Sequence, residues 1–170
     1  MKNIYIEERN KYIPRRIKAV FVLESPPERG VGYFYQEEGR VSELLFKTFM
    51  KTFLNFSPET KVVGLRQFAE AGYIVVDPIY EPVNKLPDKV ADKKILQNYN
   101  NFKKDLENLL GKEKSKTPII LIKANIYRLL EKPLLEDGFN VVNKGVVIPF
   151  PMHYHAKVFE EKIGKLIRRI

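Results

Sequence analysis

The stretch VFVLESPPERGVGYFY, residues 20–35, decides the fold of this chain and contains its first candidate site. Its apolar part belongs to IKAVFVLE, residues 17–24, an uninterrupted β-rich run typical of a strand buried on both faces. The run stops at Glu24, and two prolines, two glycines and a cluster of aromatic residues follow. We interpret this segment as the mouth of an active site rather than as a structural turn after a buried strand.

Apolar runs alternate with helical patterns along the rest of the chain. Further strands are predicted at residues 73–77 and 118–123, and one or two more within 139–150. Helices are predicted at residues 41–54, from an N-cap at Ser57 to a stop at Gly72, and at 89–110, 124–138 and 156–170, with Pro133 kinking or dividing the fourth. This alternation predicts an α/β fold: a three-layer α/β/α sandwich with a central, mostly parallel sheet of about four strands.

Length, composition and cysteine content limit the class of protein. A chain of 170 residues suits a single domain, residues 1–170, with residues 1–16 as a basic N-terminal arm. There is no cysteine, which excludes disulfides, thiolate nucleophiles and cysteine-held zinc or iron–sulfur clusters. No apolar run approaches the roughly 20 residues that span a bilayer, and no signal-peptide pattern is present. We therefore expect a cytoplasmic protein with no membrane partner.

The charge balance points to a polyanionic partner. The formal net charge is +9, and such an excess favours nucleic acids through contacts to their phosphates. The alternative is a soluble basic protein without such a partner. Basic residues concentrate in RNKYIPRRIK, residues 9–18, and KIGKLIRRI, residues 162–170, which form one surface only if the fold brings them together.

Polar side chains follow each predicted strand. In open α/β sheets, ligands bind beyond the carboxyl ends of the strands. The candidates at these ends are Glu24, Asp77, Lys123 with Asn125, and His153 with His155. One such residue is usually a helix cap or a turn former, but four such places on one edge of a sheet favour a binding site.

The ordered set LESPP…GYFY, GYIVVDPIYEPVN, IILIKANIYRLL and VIPFPMHYH resembles the uracil-DNA glycosylase superfamily, from about Lys18 to the C-terminus. The similarity is greatest to the branch that usually carries an iron–sulfur cluster. Family members have glycine, polar residues and proline after strand one, and an asparagine with a downstream proline after a later strand. A hydrophobic–Leu–Gly strand pattern and a His-Pro-Ser motif follow. The resemblance implies a DNA-repair hydrolase that flips a damaged base and cleaves its N-glycosidic bond.

The first motif matches only in part. Leu23 replaces its opening glycine, and Glu24 matches the acid of the iron–sulfur branch. Ser25 stands where the best-known members place a water-activating aspartate, and Pro26 matches the motif proline. Because the cluster cysteines are missing, we expect no iron–sulfur cluster, and neither a metal nor another cofactor is required for hydrolysis.

Tyr33, Phe34 or Tyr35 falls where the family places an aromatic ring that stacks on the extruded base. A stacking ring is what a pocket for a flipped base requires, and Phe34 is our choice among the three. The alternative is a loop whose rings fill the core.

Asp77 takes the position of the asparagine that reads the edge of uracil. An ionised carboxylate only accepts hydrogen bonds, whereas an amide also donates. Either the preferred base therefore carries an amino group, or Asp77 has become catalytic, or no base is excised. Asn84 and Asn125 are candidates to supply the missing amide.

The last motif departs as well. Pro151 matches the proline of His-Pro-Ser, Phe150 stands where its histidine belongs, and His153 lies two residues later. We expect Glu24 or Asp77 to orient water or stabilise the sugar cation, and His153 to stabilise the departing base. These groups would converge on a positively ringed hollow that holds one nucleobase. The alternatives are a non-catalytic nucleic-acid-binding module and a hydrolase or transferase of small nucleosides or nucleotides.

Overall fold

The apolar runs form one parallel sheet in the computed structural model, which describes residues 2–168 apart from the side chain of residue 29. Its strands are β1 (Ala19–Val22), β2 (Tyr73–Val76), β3 (Pro118–Leu121) and β4 (Asn140–Val141). Their order is β2-β1-β3-β4, and every neighbouring pair is parallel. An additional parallel bridge joins Ile122 to Ile148 beyond β3. The carboxyl ends of all four strands therefore lie at one edge of the sheet.

Helices cover both faces of this sheet. They are α1 (Ile4–Asn10), α2 (Leu44–Leu54), α3 (Lys61–Glu70), α4 (Asp88–Gln97), α5 (Tyr99–Leu110), α6 (Ala124–Glu136) and α7 (Ala156–Ile167). Side chains alternate between the faces of a strand, so Phe21 of β1 packs into one core, and Val20 and Val22 pack into the other. Helices α2, α3 and α7 supply the first core, and α4, α5 and α6 supply the second. The predicted three-layer α/β/α sandwich is confirmed.

The helices differ from the prediction in three respects. The helix predicted at 89–110 is two helices, because Asn98 turns the chain and its Nδ2 donates to Pro78 O at 2.8 Å. Helix α3 starts later than predicted, with Thr60 as its N-cap instead of Ser57. Pro133 does not divide α6, since it lies near the end of the helix and its carbonyl accepts a hydrogen bond from Asp137 N at 3.0 Å.

The N-terminal arm is packed through α1. Arg9 is 2% exposed, and its guanidinium donates to both carboxylate oxygens of Asp105 and to the hydroxyl of Tyr80. Asn3 caps the helix and donates from Nδ2 to Tyr80 O at 2.9 Å. Helix α1 therefore joins the loop after β2 to α5. Within residues 2–168, no helix is both long enough and apolar enough to cross a membrane.

Candidate active site

A cavity lies at the carboxyl edge of the sheet, where the chain leaves β1, β2 and β3. Its volume is about 580 Å³, within the range of roughly 300–1,000 Å³ for small-molecule sites. Seven of the candidate residues named from the sequence line it: Glu24, Ser25, Tyr33, Phe34, Asp77, Asn84 and Lys123. Parallel topology alone brings the segments after β1 and β2 to the same edge, and the structure shows that their side chains share one hollow.

Glu24 is held in place from the neighbouring strand. Lys123 Nζ lies 2.6 Å from its Oε2, and Asn125 Nδ2 donates to its Oε1 at 2.7 Å. Both partners follow β3, with Lys123 at the N-cap of α6 and Asn125 in the first turn. Because both carboxylate oxygens are engaged, the side chain has a fixed direction toward the cavity, as a catalytic or binding carboxylate requires. Asn125 thus contacts Glu24 and does not itself line the cavity.

Lys123 has an unusual backbone conformation. Its φ is 85° and its ψ is 139°, a region that glycine populates and that side chains with a Cβ avoid. Its N–H donates to Ile148 O at 2.8 Å, which holds the segment in place. Conformations of this kind cost of the order of 1–3 kcal/mol and concentrate at functional sites. Because the side chain of Lys123 contacts Glu24, this backbone strain lies next to the candidate catalytic carboxylate.

Asp77 forms the buried part of the cavity wall. It is 3% exposed, and its Oδ1 has no hydrogen-bond partner among the groups that the structure describes. Burial, opposed by the charge of Arg9 and reinforced by that of Glu24, raises the pKa of Asp77 to about 8. The side chain is therefore neutral at pH 7 and both donates and accepts a hydrogen bond. The expectation that Asp77 only accepts hydrogen bonds assumed an ionised carboxylate. Because burial favours the protonated form, that assumption does not hold.

The aromatic segment fills the core and also forms part of the cavity wall. Phe34 is 2% exposed, and its ring centroid lies 5.1–5.8 Å from those of Tyr35, Phe46, Phe49 and Phe68. Phe34 nevertheless lines the cavity. Tyr35 lies deeper, with its hydroxyl bonded to both the N–H and the carbonyl of Val75, and does not line the cavity.

Tyr33 is tied to the N-terminal helix. Its hydroxyl donates to Tyr5 O at 3.0 Å, and the two rings pack edge to face. Its own carbonyl accepts a hydrogen bond from the ammonium group of Lys61 at 2.7 Å. These contacts fix the loop that carries the aromatic wall.

The other predicted residues lie outside this constellation. His153 and His155 are exposed, and neither lines the cavity, although Phe150 and Met152 of the same segment do. Pro26 and Pro151 are buried, outside the lining. Ser25 lines the cavity, and its hydroxyl also accepts a hydrogen bond from Val83 N at 3.3 Å. The structure therefore brings Glu24 to Asp77 and leaves both histidines apart.

Glu43 is a cavity residue that sequence reasoning missed. It precedes α2, and its carboxylate accepts hydrogen bonds from Arg40 N at 2.9 Å and from Lys61 Nζ at 2.8 Å. Lys61 is 1% exposed, and burial lowers its pKa. No signal in the sequence pointed to Glu43, because it belongs to the helical pattern of residues 41–54 and not to a strand end.

The lining carries more negative than positive groups. Its carboxyl groups are Glu24, Glu43 and Asp77, and its one cation among the described residues is Lys123. Across residues 2–168, no group of three or more histidine, cysteine, aspartate and glutamate side chains is arranged to hold a metal ion. The cavity thus provides carboxyl groups and aromatic surface, and such a combination of apolar walls with a few polar groups is typical of small-molecule sites.

Fold and cavity together define a parallel α/β protein with a carboxyl-lined site at the carboxyl edge of its sheet. Comparison of the chain with protein-family models, with curated proteins and with solved structures found no match.

Proposed function

We propose that this protein is a DNA-repair glycosylase that holds a flipped, damaged base in the cavity and hydrolyses its bond to deoxyribose. One observation carries the proposal: Glu24 and Asp77, which follow two different strands, line a single hollow that is also walled by Tyr33 and Phe34. A base-flipping enzyme needs a pocket with an apolar, aromatic side and polar groups that reach the base and the sugar.

The two acids suit two different roles in this reaction. Cleavage of an N-glycosidic bond builds positive charge on the sugar and negative charge on the base. Glu24, oriented by Lys123 and Asn125, takes the proton of the attacking water and stabilises the sugar cation. Asp77 is neutral at pH 7, because burial raises its pKa to about 8, and it donates its proton to the departing base. Asp77 thereby replaces His153 in the role assigned from the sequence.

The neutral form of Asp77 also bears on which base is held. A protonated carboxyl offers one donor and one acceptor, as the asparagine of the family does. That pair is complementary to the carbonyl and ring N–H of uracil, hypoxanthine or xanthine. An ionised Asp77 would require a base that carries an amino group. A protonated Asp77 does not.

The backbone of Lys123 gives separate support to the resemblance. The family pattern at this strand ends in glycine after a hydrophobic residue and leucine. Here the segment Leu121, Ile122 and Lys123 ends with a φ of 85°, a value that favours glycine. Divergence within this family could replace the glycine while the backbone keeps the same turn, and this is the arrangement at Lys123.

Labelled oligonucleotides test the proposal. Duplexes that carry uracil, hypoxanthine, xanthine or thymine are incubated with the protein and then treated with alkali, which breaks the strand where a base is missing. We expect breakage for at least one base, and a loss of about 100-fold or more in Glu24→Gln and Asp77→Leu. Asp77→Asn keeps a donor and an acceptor and should retain base binding. His153→Ala should retain activity, because His153 is exposed and outside the lining.

A second candidate is a hydrolase of free nucleosides or nucleotides. It is favoured by the acidic lining, since a polyanion approaching the carboxylates of Glu24 and Glu43 meets like charge. Release of free base from nucleosides, measured by chromatography, with no breakage of any oligonucleotide, would replace the first proposal with this one. Binding to DNA with no base release from either substrate would instead support the non-catalytic module.

A further inference from the structure

Two adjoining concavities lie at the edge of the sheet opposite the cavity, where the chain enters the strands. Their volumes are about 620 and 720 Å³, and both are lined by Arg15, Arg16 and Lys18. One continues along the ends of β1, β2 and β3 to Ile167 of α7, and the other reaches Arg66 of α3. We refer to the two together as the amino-edge groove.

The amino-edge groove is basic. Its cations are Lys11, Arg15, Arg16, Lys18, Arg66 and Lys116, against the acids Glu37, Glu70 and Glu113. Lys11 and Lys116 have carboxylate partners, at 3.5 and 3.8 Å. Arg15, Arg16 and Lys18 are exposed, and within residues 2–168 they form neither a salt bridge nor a side-chain hydrogen bond. An anionic partner would therefore lower their mutual repulsion.

This groove is separate from the carboxyl-lined cavity. Lys18 precedes β1 and Glu24 follows it, so the strand separates the two sites by roughly 20 Å at about 3.3 Å per residue. The N-terminal basic segment and the end of α7 meet here and not at the cavity. The features expected of one positively ringed hollow are thus divided between two edges: the cavity lining carries the acids, and the basic N-terminal segment lies at the amino edge.

We propose that the amino-edge groove binds the phosphodiester backbone of a nucleic acid at a site distinct from the cavity. Guanidinium groups present forked donors that match phosphate oxygens, and Arg15 and Arg16 offer two of them next to Lys18. A track of two joined concavities suits an extended strand with regularly spaced charges. Membrane surfaces are bound by amphipathic helices with an exposed apolar face, whereas residues 13–18 are not helical and line a hollow.

Fluorescence anisotropy with an undamaged, labelled oligonucleotide of roughly 20 nucleotides tests this proposal, with salt varied over about 50–200 mM. The test variant is Arg15→Gln/Arg16→Gln/Lys18→Gln. The matched control is Lys89→Gln/Lys93→Gln/Lys104→Gln, which removes the same charge from exposed positions of α4 and α5. We expect the test variant to bind at least about tenfold more weakly and to lower the slope of log K against log salt by about 2–3. The control should bind within about twofold of wild type, and circular dichroism should show both variants folded.

Several results would overturn the proposal. Equal weakening in both triple variants would mean that net charge alone is responsible. Absence of oligonucleotide binding, or binding only to vesicles of phosphatidylserine and phosphatidylcholine, would also exclude it. Loss of binding in Glu24→Gln or Asp77→Leu, with none in the groove variant, would place the nucleic acid at the cavity instead. If binding depends on the groove but no base is released, the proposed glycosylase activity is rejected, whereas the proposed nucleic-acid site in the groove is supported.

Discussion

Glu24 Oε2 lies 2.6 Å from Lys123 Nζ, so that an ion pair joins the end of β1 to the end of β3 at the cavity. The side chain of Lys123 is 42% exposed and that of Glu24 is 14% exposed. Pairs with a solvated partner contribute only about 0–1 kcal/mol to stability. The principal effect of this pair is therefore to fix the direction of the Glu24 carboxylate, while the strained backbone of Lys123 opposes stability.

The strain at Lys123 predicts an unusual order of stability for two variants. Lys123→Gly and Lys123→Ala both lose the ion pair, but only glycine relaxes at a φ of 85°. We expect Lys123→Gly to be more stable than Lys123→Ala by about 1–2 kcal/mol in urea unfolding. At Lys104, which is exposed within α5, we expect the alanine variant to be more stable than the glycine variant by about 1 kcal/mol. An alanine variant as stable as the glycine variant at position 123 would show that no strain is present.

The buried carboxyl of Asp77 predicts a pH-dependent stability. Burial raises its pKa from 3.8 to about 8. Between these values the folded protein retains a proton that the unfolded chain has released, so the free energy of unfolding falls as pH rises through this window. Asp77→Asn removes that dependence, and we expect its stability to gain a few kcal/mol relative to wild type between about pH 4 and pH 9. Urea unfolding at several pH values measures the difference.

Asp88→Asn, at an exposed position of α4, is the control for this measurement and should keep the wild-type profile. Arg9, which lowers the pKa of Asp77, and Glu24, which raises it, are unchanged in both variants. Parallel profiles for wild type and Asp77→Asn would show that Asp77 is ionised in the folded protein.

Two helical glycines should respond to alanine with opposite signs. A Cβ at Gly64 would lie 2.6 Å from Phe46 Cζ and 2.9 Å from Pro58 Cγ, because α3 packs closely on α2. Gly64→Ala is therefore expected to destabilise the protein by about 1–3 kcal/mol. A Cβ at Gly164 in α7 meets no atom within 4 Å, and Gly164→Ala should stabilise by about 0.5–1 kcal/mol. Thermal unfolding of the two variants tests the packing directly, and destabilisation of both would contradict it.

The buried pair of Arg9 and Asp105 should hold the N-terminal helix in place. The side chain of Arg9 is 2% exposed and that of Asp105 is 25% exposed. Arg9→Met leaves Asp105 unpaired, and we expect a loss of about 3 kcal/mol, near the lower limit for buried pairs because Asp105 is partly solvated. The double variant Arg9→Met/Asp105→Leu should recover part of this loss in urea unfolding. A double variant less stable than Arg9→Met would contradict the assignment.

The strands could be predicted from the sequence because each is a short apolar run buried on both faces. Helix boundaries were less certain, because distant contacts decide them. Asn98 breaks the predicted helix at residues 89–110 by bonding to Pro78 O, a group twenty residues away. Ser57 and Pro58 have the residue types of a helix start, but the helix begins after Thr60. Local propensity is a weak preference that such contacts override.

By itself, the sequence determined the parallel sheet, and with it the edge at which each strand-end residue lies. Glu24 and Asp77 follow parallel strands, so they had to reach the same edge, and residues 15–18 precede β1, so they had to lie at the opposite one. Only the tertiary structure decided that Glu43 enters the cavity, that His153 stays outside it and that burial keeps Asp77 neutral. The order of residues sets chain direction, whereas side-chain convergence and burial arise from the packing of segments distant along the chain.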